Sequence, residues 1–324
     1  MRTEAMRVKR SLLGKTGIEV TEFCFGTLVL GHLQANLSPG EGATALRRAL
    51  ERGVNFIDTA KGYRTYPHTR LGIEGFRDVV VASKSTASAA KNMREDVETC
   101  LRELGRETVD IFHLHLVKSP ADMREREGAL DALVRCRREG KIRAIGLSAH
   151  GPDGVLAALT CDEIEVVFPV MNRKGLGIIG GTHAQMLSAI QRVCVRGIGL
   201  YAMKPLGGGH LIENIPGAIA YVRELGLFDS IAVGIKTAEE AEIMAGVFEN
   251  DLGANARALE LGKERAGRKR LIVYDLCRRC GACVDACAQG ALSLGEKKAQ
   301  VDPDLCILCG YCAAACPNFV IRVV

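Results

Sequence analysis

The chain has 324 residues, of which 48% are hydrophobic and 25% charged, and its formal net charge is +5. This composition excludes a disordered chain, and the length allows either a barrel-sized domain with an appendage or two ordinary domains. Much of the excess charge lies in residues 263–270, KERAGRKR, which hold five bases and one acid. No aromatic residue is interleaved with these bases, so we interpret the run as a solvated linker and expect no nucleic-acid partner.

The sequence contains 13 cysteines, a number that would indicate disulfides in a small secreted protein. Residues 1–10 are charged, however, and no apolar stretch of signal-peptide length follows them. No run approaches the ~18 apolar residues of a membrane span. We therefore expect a cytoplasmic protein with no membrane partner, in which thiols stay reduced and clustered cysteines bind metal.

Short β-branched runs alternate with longer segments of helical period from Val20 to about Phe248. The runs begin at Val20, Val54, Asp78, Asp110, Ala144, Val166, Gly199 and Ser230. Segments such as residues 92–104 and 128–141 carry the helical period between them. Strands this apolar avoid water, so eight strand–helix repeats predict an α/β fold, a parallel (β/α)8 barrel. Ahead of it, residues 11–20 predict a small hairpin across the bottom of the barrel.

The pattern changes after Glu249, first to a helical stretch and then to a cysteine-rich tail. We place the domain boundary near Gly267. Residues 1–266 then form the barrel with its hairpin and a linker helix, and residues 267–324 form a small α+β domain.

The tail contains the spacing C-x2-C-x2-C-x3-C twice, at Cys277, Cys280, Cys283 and Cys287, and at Cys306, Cys309, Cys312 and Cys316. Three cysteines two residues apart let one loop offer three thiolates to an iron cubane, while the fourth reaches the other cluster. This rule predicts two [4Fe-4S] clusters. Cluster I takes Cys277, Cys280, Cys283 and Cys316, and cluster II takes Cys306, Cys309, Cys312 and Cys287.

A pair of zinc sites is the alternative, but structural zinc has no use for the third and fourth cysteines of each run. The tail resembles the bacterial two-cluster ferredoxin family, with Ala288 where a proline often follows the fourth cysteine. The remaining cysteines are scattered, and we interpret them as small buried apolar residues, namely Cys24, Cys100, Cys136, Cys161 and Cys194.

Polar residues end three consecutive predicted strands, where the active site of a parallel barrel forms. Asp58 ends the second strand, Lys84 the third and His115 the fourth, and the period of two points all three into one mouth. Tyr63 follows in the loop above Asp58. His113, one layer below His115, is interpreted as a neutral, hydrogen-bonded barrel histidine.

These residue types together suit the reduction of a carbonyl. An ammonium neighbour favours a phenolate, so we expect Lys84 to lower the pKa of Tyr63, while Asp58 holds Lys84 in place and charged. Tyr63 can then donate a proton to a carbonyl oxygen that His115 polarises, as hydride arrives at carbon. The alternative is a buried Asp58–Lys84 ion pair that merely closes the barrel.

Residues 7–250 resemble the aldo-keto reductase family. The resemblance is carried by LLGKTGIEVTEFCFGTLVLG, VNFIDTAKGY, DVVVASK, LGRETVDIFHLHLV, GKIRAIGLSAHG and AMKPLGGG. It implies that the catalytic tetrad is Asp58, Tyr63, Lys84 and His115. A branch of the family carries a ferredoxin-like tail, and this chain looks like a member of that branch.

The coenzyme site departs from the family pattern. The family binds the nicotinamide amide with a Ser-Asn pair and a glutamine, and stacks the ring on an aromatic residue. This chain keeps Ser148, but Ala149, Phe168 and Met203 replace the other three. Asn172 offers a substitute hydrogen bond to the amide, and Met203 offers a less rigid cover for the ring.

Two loops complete the expected coenzyme site. The resemblance implies that glycine-rich residues 205–209 wrap a pyrophosphate, and this loop contributes Pro205, Leu206, Gly207 and Gly208. Lys204 and His150, beside it, face either the mouth or solvent. Gly234 and Lys236 begin the region that grips an adenosine 2'-phosphate, where Glu240 stands in a position often held by arginine. The choice between NADPH, NADH and no nicotinamide therefore stays open.

The barrel and the tail would transfer different numbers of electrons in one step. Nicotinamide transfers two electrons as a hydride, whereas each cluster transfers one electron at a time. The first hypothesis is an aldo-keto reductase-like enzyme that uses NAD(P)H on a small carbonyl or alcohol, with two clusters for electron transfer. The second is a cluster-driven enzyme, direct or flavin-mediated, that uses no nicotinamide. A non-enzymatic docking platform for an electron carrier is the third. A redox protein is a possible partner in each case.

Overall fold

The computed structural model describes residues 8–323. Its centre is a closed barrel of parallel strands, in which each strand pairs with its neighbours along the chain and the last pairs with the first. A hairpin of β1 (Arg10–Leu12) and β2 (Glu19–Thr21) precedes it. The barrel strands are β3 (Phe23–Gly26), β4 (Phe56–Asp58), β5 (Val80–Ser85), β6 (Val109–Leu114), β7 (Ile142–Ala149), β8 (Val166–Pro169), β9 (Gly199–Ala202) and β10 (Ser230–Gly234).

Helices cover the outside of the barrel. They are α1 (Pro39–Glu51), α2 (Tyr66–Ile73), α3 (Ala90–Leu104), α4 (Pro120–Glu125), α5 (Glu127–Arg138), α6 (Pro152–Leu156), α7 (His183–Cys194), α8 (Ile215–Glu224), α9 (Ala238–Phe248) and α10 (Leu252–Arg265). Short 3-10 helices lie at Leu28–Leu30, Lys61–Tyr63, Ala157–Thr160, Gly207–Gly209 and Ile212–Asn214. The prediction of an α/β (β/α)8 barrel is confirmed.

Local sequence explains where several of these helices begin and end. Ser38 and Glu41 form a reciprocal capping box at the start of α1, and Thr182 and Gln185 do the same at α7. Beyond the end of α5, Gly140 has a φ of +75°, a left-handed conformation that stops the helix.

The predicted hairpin closes the bottom of the barrel. Leu13 and Ile18 at its tip are buried, and the backbone N–H of Gly14 donates to the carboxylate of Asp229, just before β10, at 3.1 Å. The apolar run that begins at Val20 was expected to be one strand. In the structure it contains the end of β2 and all of β3, because the backbone of Glu22 between them bonds outside both strands, to Lys9 and to β10.

The tail forms a small ferredoxin-like domain. Strand β11 (Leu271–Val273) pairs antiparallel with β14 (Ile321–Val323), and β12 (Leu292–Leu294) pairs with β13 (Ala299–Val301). Short helices α11 (Ala282–Asp285) and α12 (Tyr311–Ala315) follow the two cysteine loops. The boundary predicted near Gly267 falls between α10 and β11, and the limits 1–266 and 267–324 stay a prediction.

The tail lies over the mouth of the barrel, where the carboxyl ends of the strands meet. Its backbone touches the backbone of two barrel loops. A methyl group on Gly208, after β9, would lie 2.1 Å from the carbonyl oxygen of Ile307, and one on Gly310 would lie 2.0 Å from that of Leu33. Lys269 adds a hydrogen bond to the carbonyl of Gly208 at 3.2 Å. Only glycine permits so close an approach at these two positions.

Within residues 8–323, no helix combines the length and the apolar composition that crossing a membrane requires.

Candidate active site

Four side chains singled out in the sequence meet at the mouth of the barrel. Asp58 ends β4, Lys84 lies near the end of β5, and His115 directly follows β6. Tyr63 ends the 3-10 helix that follows β4. All four are buried, since none exposes more than 6% of its surface.

Asp58 and Lys84 form a buried ion pair. The Nζ of Lys84 donates to both carboxylate oxygens of Asp58 at 2.7 Å and to the carbonyl oxygen of Thr59 at 2.6 Å. Burial raises the pKa of Asp58 and lowers that of Lys84, and the attraction between the two charges opposes both shifts. An ammonium has three protons to donate, and these three bonds fix it in place.

The phenol of Tyr63 lies beside this pair. The Nζ of Lys84 is 5.1 Å from the centroid of the Tyr63 ring, and the ring of His115 meets it edge-on at 6.0 Å. Burial raises the pKa of Tyr63 well above its ordinary value, and the neighbouring phenol of Tyr311 raises it further. The expectation that Lys84 lowers this pKa is therefore wrong, because Lys84 bonds to Asp58 and Thr59 while the tail excludes water. The phenol is held in its protonated form.

The histidines at the mouth are neutral. Burial lowers the pKa of His113 and of His115 well below the ordinary value, and the charge of Lys84 lowers both further. Burial lowers the pKa of His150 to about 3, and Lys204 adds to that shift. His150 and Lys204 thus lie near each other above the site. A neutral imidazole at His115 can donate a hydrogen bond to a substrate oxygen.

Tyr201 is a site residue that the sequence reasoning missed. Its hydroxyl donates to Asp58 at 2.9 Å, and the Nε2 of His113 lies 2.7 Å from the same oxygen. His113 is thus the neutral, hydrogen-bonded barrel histidine that was expected. Tyr201 lies in β9, and alternation along that strand places it on the same face as Met203, a signal that was available in the sequence.

Arg126 is a second missed residue. It lies between α4 and α5 and is buried, and its guanidinium donates to the carbonyl of His115 at 2.9 Å and to that of Ser85 at 3.1 Å. One side chain thus holds together the ends of two strands that carry the site. No local pattern distinguishes it from the surface arginines around it.

The residues expected to bind the nicotinamide amide are used within the protein. The hydroxyl of Ser148 accepts a hydrogen bond from the backbone of Leu116 at 3.0 Å. The amide of Asn172 is buried, and it accepts from the backbone N–H groups of Lys174 and Leu176 and donates to the carbonyl of Leu176. Asn172 therefore shapes its own loop.

The floor of the mouth is aromatic where the family has polar groups. The ring of Phe168 stacks on that of Tyr201, with centroids 4.0 Å apart, and lies 5.2 Å from the Nζ of Lys84. Met203 is buried above them. This lining provides apolar surface beside the ion pair.

The expected pyrophosphate loop lies under the tail. Gly207 and Gly208 have positive φ angles, and their loop contacts Ile307 and Lys269 of the tail. Pro205 is buried, and Lys204 has a φ of +59°. Leu206 is half-buried beside them. The backbone that the family offers to a pyrophosphate is here in contact with protein.

The expected phosphate grip around Glu240 is also engaged internally. One carboxylate oxygen of Glu240 accepts from the backbone N–H of Lys236 at 2.7 Å, and the other pairs with Arg265 of α10. Gly234 and the side chain of Lys236 are exposed. The region therefore holds a carboxylate neutralised by an arginine, with the exposed Lys236 beside it.

The eight cysteines of the tail surround two separate cavities. One is lined by Cys277, Cys280, Cys283 and Cys316, and the other by Cys287, Cys306, Cys309 and Cys312. In each cavity the fourth cysteine comes from the other motif. Among residues 8–323, no three His, Cys, Asp or Glu side chains lie close enough together to bind a single metal ion. Thiols distributed around the wall of a cavity instead suit the separate iron atoms of a cubane cluster. The donor set therefore fits two [4Fe-4S] clusters.

The cavity of cluster II adjoins the barrel. Ile307 and Tyr311 line it, and Tyr311 packs against Tyr63, Leu33 and Ala60 of the barrel mouth. The Nε2 of His210 donates to the carbonyl of Cys306 at 2.7 Å. Lys204 and Lys269 also approach this cavity. Burial lowers the pKa of each lysine, and the nearby charge of Cys309 opposes that shift.

Comparison with known proteins agrees with both halves of this architecture. A family model described as the aldo/keto reductase family matches residues 22–247, and one described as a 4Fe-4S dicluster domain matches residues 276–320. The chain belongs to the aldo/keto reductase family. Its resemblance to the branch with a ferredoxin-like tail is confirmed by the second match.

Among its relatives, L-galactose dehydrogenase from Arabidopsis thaliana is 25% identical over 65% of this chain and 69% of its own length. Probable aldo-keto reductase 1 from Glycine max is 27% identical over 63% of this chain and 62% of its own length. Aflatoxin B1 aldehyde reductase member 2 from Homo sapiens is 30% identical over 57% of this chain and 53% of its own length. The chain thus spans between about half and about two thirds of these relatives.

Solved structures agree at the level of the fold. An aldo-keto reductase from Bacillus halodurans superposes with a TM-score of 0.62 at 18% identity, over 79% of this chain and 96% of that one.

Proposed function

We propose that this family member reduces a small carbonyl substrate at the barrel mouth, with Tyr63 as the proton donor and the tail clusters as the source of electrons, or oxidises the corresponding alcohol by the reverse steps, with the clusters accepting the electrons. The observation that carries the proposal is the position of Tyr311, which lines the cavity of cluster II and packs against Tyr63. A single aromatic side chain therefore separates the phenol of Tyr63 from the cysteines of cluster II.

The surrounding side chains support a proton-donating role for Tyr63. Its pKa is raised by burial, so the proton is present at neutral pH. The neutral imidazole of His115 donates a hydrogen bond to the substrate oxygen and polarises it. The Asp58–Lys84 pair fixes the ammonium beside the ring of Tyr63.

Electrons and protons balance with the two proposed clusters. Reduction of a carbonyl to an alcohol takes two electrons and two protons. Clusters of this type supply electrons one at a time, so two reduced clusters supply the pair. Tyr63 supplies the proton that reaches oxygen. A solvent proton that enters with the substrate reaches carbon, and a second solvent proton restores Tyr63 once the product has left. A flavin that collects two single electrons and transfers a hydride would satisfy the same balance.

A second candidate uses NADPH or NADH as the hydride donor. It is supported by the complete set of Asp58, Tyr63, Lys84 and His115 in one mouth, and by the exposed ammonium of Lys236. The contacts of Asn172 and of Gly208 with Ile307 favour the cluster-driven reaction, because each occupies a group that the coenzyme would need.

The deciding experiment is anaerobic and omits nucleotide. Protein with reduced clusters is freed of reductant and mixed with a panel of aldehydes and ketones, while cluster absorbance is followed. Reoxidation that depends on substrate supports the cluster-driven reaction. Clusters that stay reduced for every compound, while NADPH or NADH is consumed in a parallel assay, overturn it in favour of the nicotinamide reaction. We retain the cytoplasm as the proposed location, since binding of the clusters by cysteines needs reduced thiols.

A further inference from the structure

Cluster I has different surroundings from cluster II. Both cavities are lined by tail residues, but two residues in the wall of cluster II, Ile307 and Tyr311, also contact the barrel. Cys280 of cluster I is exposed to solvent. The two proposed clusters therefore lie in series, one at the surface and one at the barrel mouth.

The opening of the cluster I cavity is basic. Arg278 and Arg279 line it, and both are exposed. Among residues 8–323, neither guanidinium has a carboxylate within 4.0 Å. By contrast, Arg223 and Arg137 of the barrel each bind glutamates. The two charges next to Cys280 are thus free to meet an external partner.

Large apolar side chains surround this opening. Leu276 is 80% exposed, Phe319 is 75% exposed and Leu294 is 46% exposed, and each lies in or next to the cavity wall. We call these three residues with Arg278 and Arg279 the cluster I rim. Exposed apolar groups combined with arginines are typical of protein interfaces.

We propose that the cluster I rim is the docking surface for a small acidic one-electron carrier protein. This inference rests on the proposed function, in which the clusters supply the electrons. Each encounter oxidises the carrier by one electron and reduces cluster I by one, and the electron then passes to cluster II beside Tyr63. Two encounters supply one two-electron turnover at the barrel.

Charge decides the kind of partner. A second copy of this chain, docked through the same face about a two-fold axis, would bring Arg278 and Arg279 against their own equivalents. An acidic partner instead gains attraction, and this steers the encounter and accelerates association at low salt. A small apolar centre with a charged rim also suits the brief contact of an electron-transfer complex.

The test measures reduction of the cluster-loaded full chain by reduced flavodoxin, an acidic probe, in anaerobic stopped-flow without substrate. The double variant R278E/R279E should lower the second-order rate constant by at least about tenfold at low ionic strength, and salt should slow the unsubstituted protein but not the variant. R268E/R270E makes the same charge change in the linker and should stay within about twofold. Iron content and reduction by dithionite show that each variant keeps its clusters.

Equal rate losses in the two double variants, or no loss in either, would overturn the proposal, as would failure of flavodoxin to reduce the unsubstituted protein. Because this assay contains no substrate, its outcome is independent of whether reduced clusters react with a carbonyl. A carrier that docks at the rim while substrate fails to reoxidise the clusters would disprove the proposed function alone.

Discussion

The side chain of Tyr311, which lines the cavity of cluster II, packs against Tyr63 in the barrel mouth. The tail is therefore part of the wall around the proposed proton donor. Its presence removes water from the phenol, and this burial is the main reason that the pKa of Tyr63 lies above the ordinary value.

Replacing Tyr63 by phenylalanine should abolish most turnover. The variant keeps the ring against Tyr311 and His115 but loses the proton, so we expect activity to fall by about 100-fold or more. Steady-state rates with the electron source found in the deciding experiment provide the measurement. Tyr274→Phe changes an exposed tail phenol and serves as the control. Retention of most activity in Tyr63→Phe would contradict the assigned role.

Replacing Tyr201 by phenylalanine should destabilise the protein at the base of the site. The variant removes the hydroxyl that donates to Asp58, so the pKa of that carboxyl rises further and a buried acceptor loses a partner. We expect the free energy of unfolding to fall by about 1–3 kcal/mol, measured by urea denaturation.

The matched control is Tyr221→Phe, because the hydroxyl of Tyr221 bonds to His183 on the outer helices. We expect it to cost no more than about 1.5 kcal/mol and to leave turnover unchanged. Equal losses of activity in both variants would argue against a role for Tyr201 in positioning Asp58.

The buried histidines should make the protein sensitive to mild acid. Burial, aided by Lys84, lowers the folded-state pKa values of His113 and His115 well below that of the unfolded chain. The unfolded state then binds protons that the folded state does not, so stability is complete above about pH 6.5 and is lost as the pH falls. Each histidine should cost about 1.4 kcal/mol per pH unit below that point.

Urea midpoints between pH 7.5 and 5.5 test this, with His113→Gln as the comparison. His150 also has a lowered pKa, of about 3, so removing one of these three histidines should reduce the slope of stability against pH by about a third. Identical slopes in the two proteins would mean that His113 is protonated in the folded state.

The fourth cysteine of each motif lines the cavity of the other motif, and this predicts which cluster each variant loses. Cys316→Ser should remove cluster I although Cys316 lies in the second motif, and Cys287→Ser should remove cluster II although it lies in the first. Electron paramagnetic resonance of the reduced proteins and iron analysis would distinguish the two. The control Cys161→Ser, on the barrel, should leave both signals unchanged. If Cys316→Ser instead removed cluster II, or Cys287→Ser removed cluster I, the assignment of the fourth cysteines would be wrong.

Local pattern was sufficient for the barrel and for the four residues at its mouth. Seven of the eight apolar runs became single barrel strands, and the run from Val20 was divided between β2 and β3. Alternation along β4 and β5 brought Asp58 and Lys84 to the same side. Spacing alone likewise sorted the tail cysteines into two sets that line two cavities. These features depend on neighbours a few residues away in the chain.

What the sequence did not predict depends on contacts between distant segments. The residues around Ile307 and Gly310 give no sequence pattern that predicts their contacts with Gly208 and Leu33. Shape complementarity between two surfaces produces no periodic pattern of residue types. The predicted direction of the pKa shift of Tyr63 was wrong for the same reason. The largest cause of the raised pKa is burial beneath the tail, which is a contact between distant segments.

The backbone contacts at Gly208 and Gly310 bear on how a molecule enters. At both positions the nearest atoms across the contact are backbone atoms, which cannot rotate aside as a side chain can. A molecule that passes between these two surfaces would therefore require the tail to move as a body. Access by that route thus depends on how firmly the cysteine-rich tail is seated on the barrel.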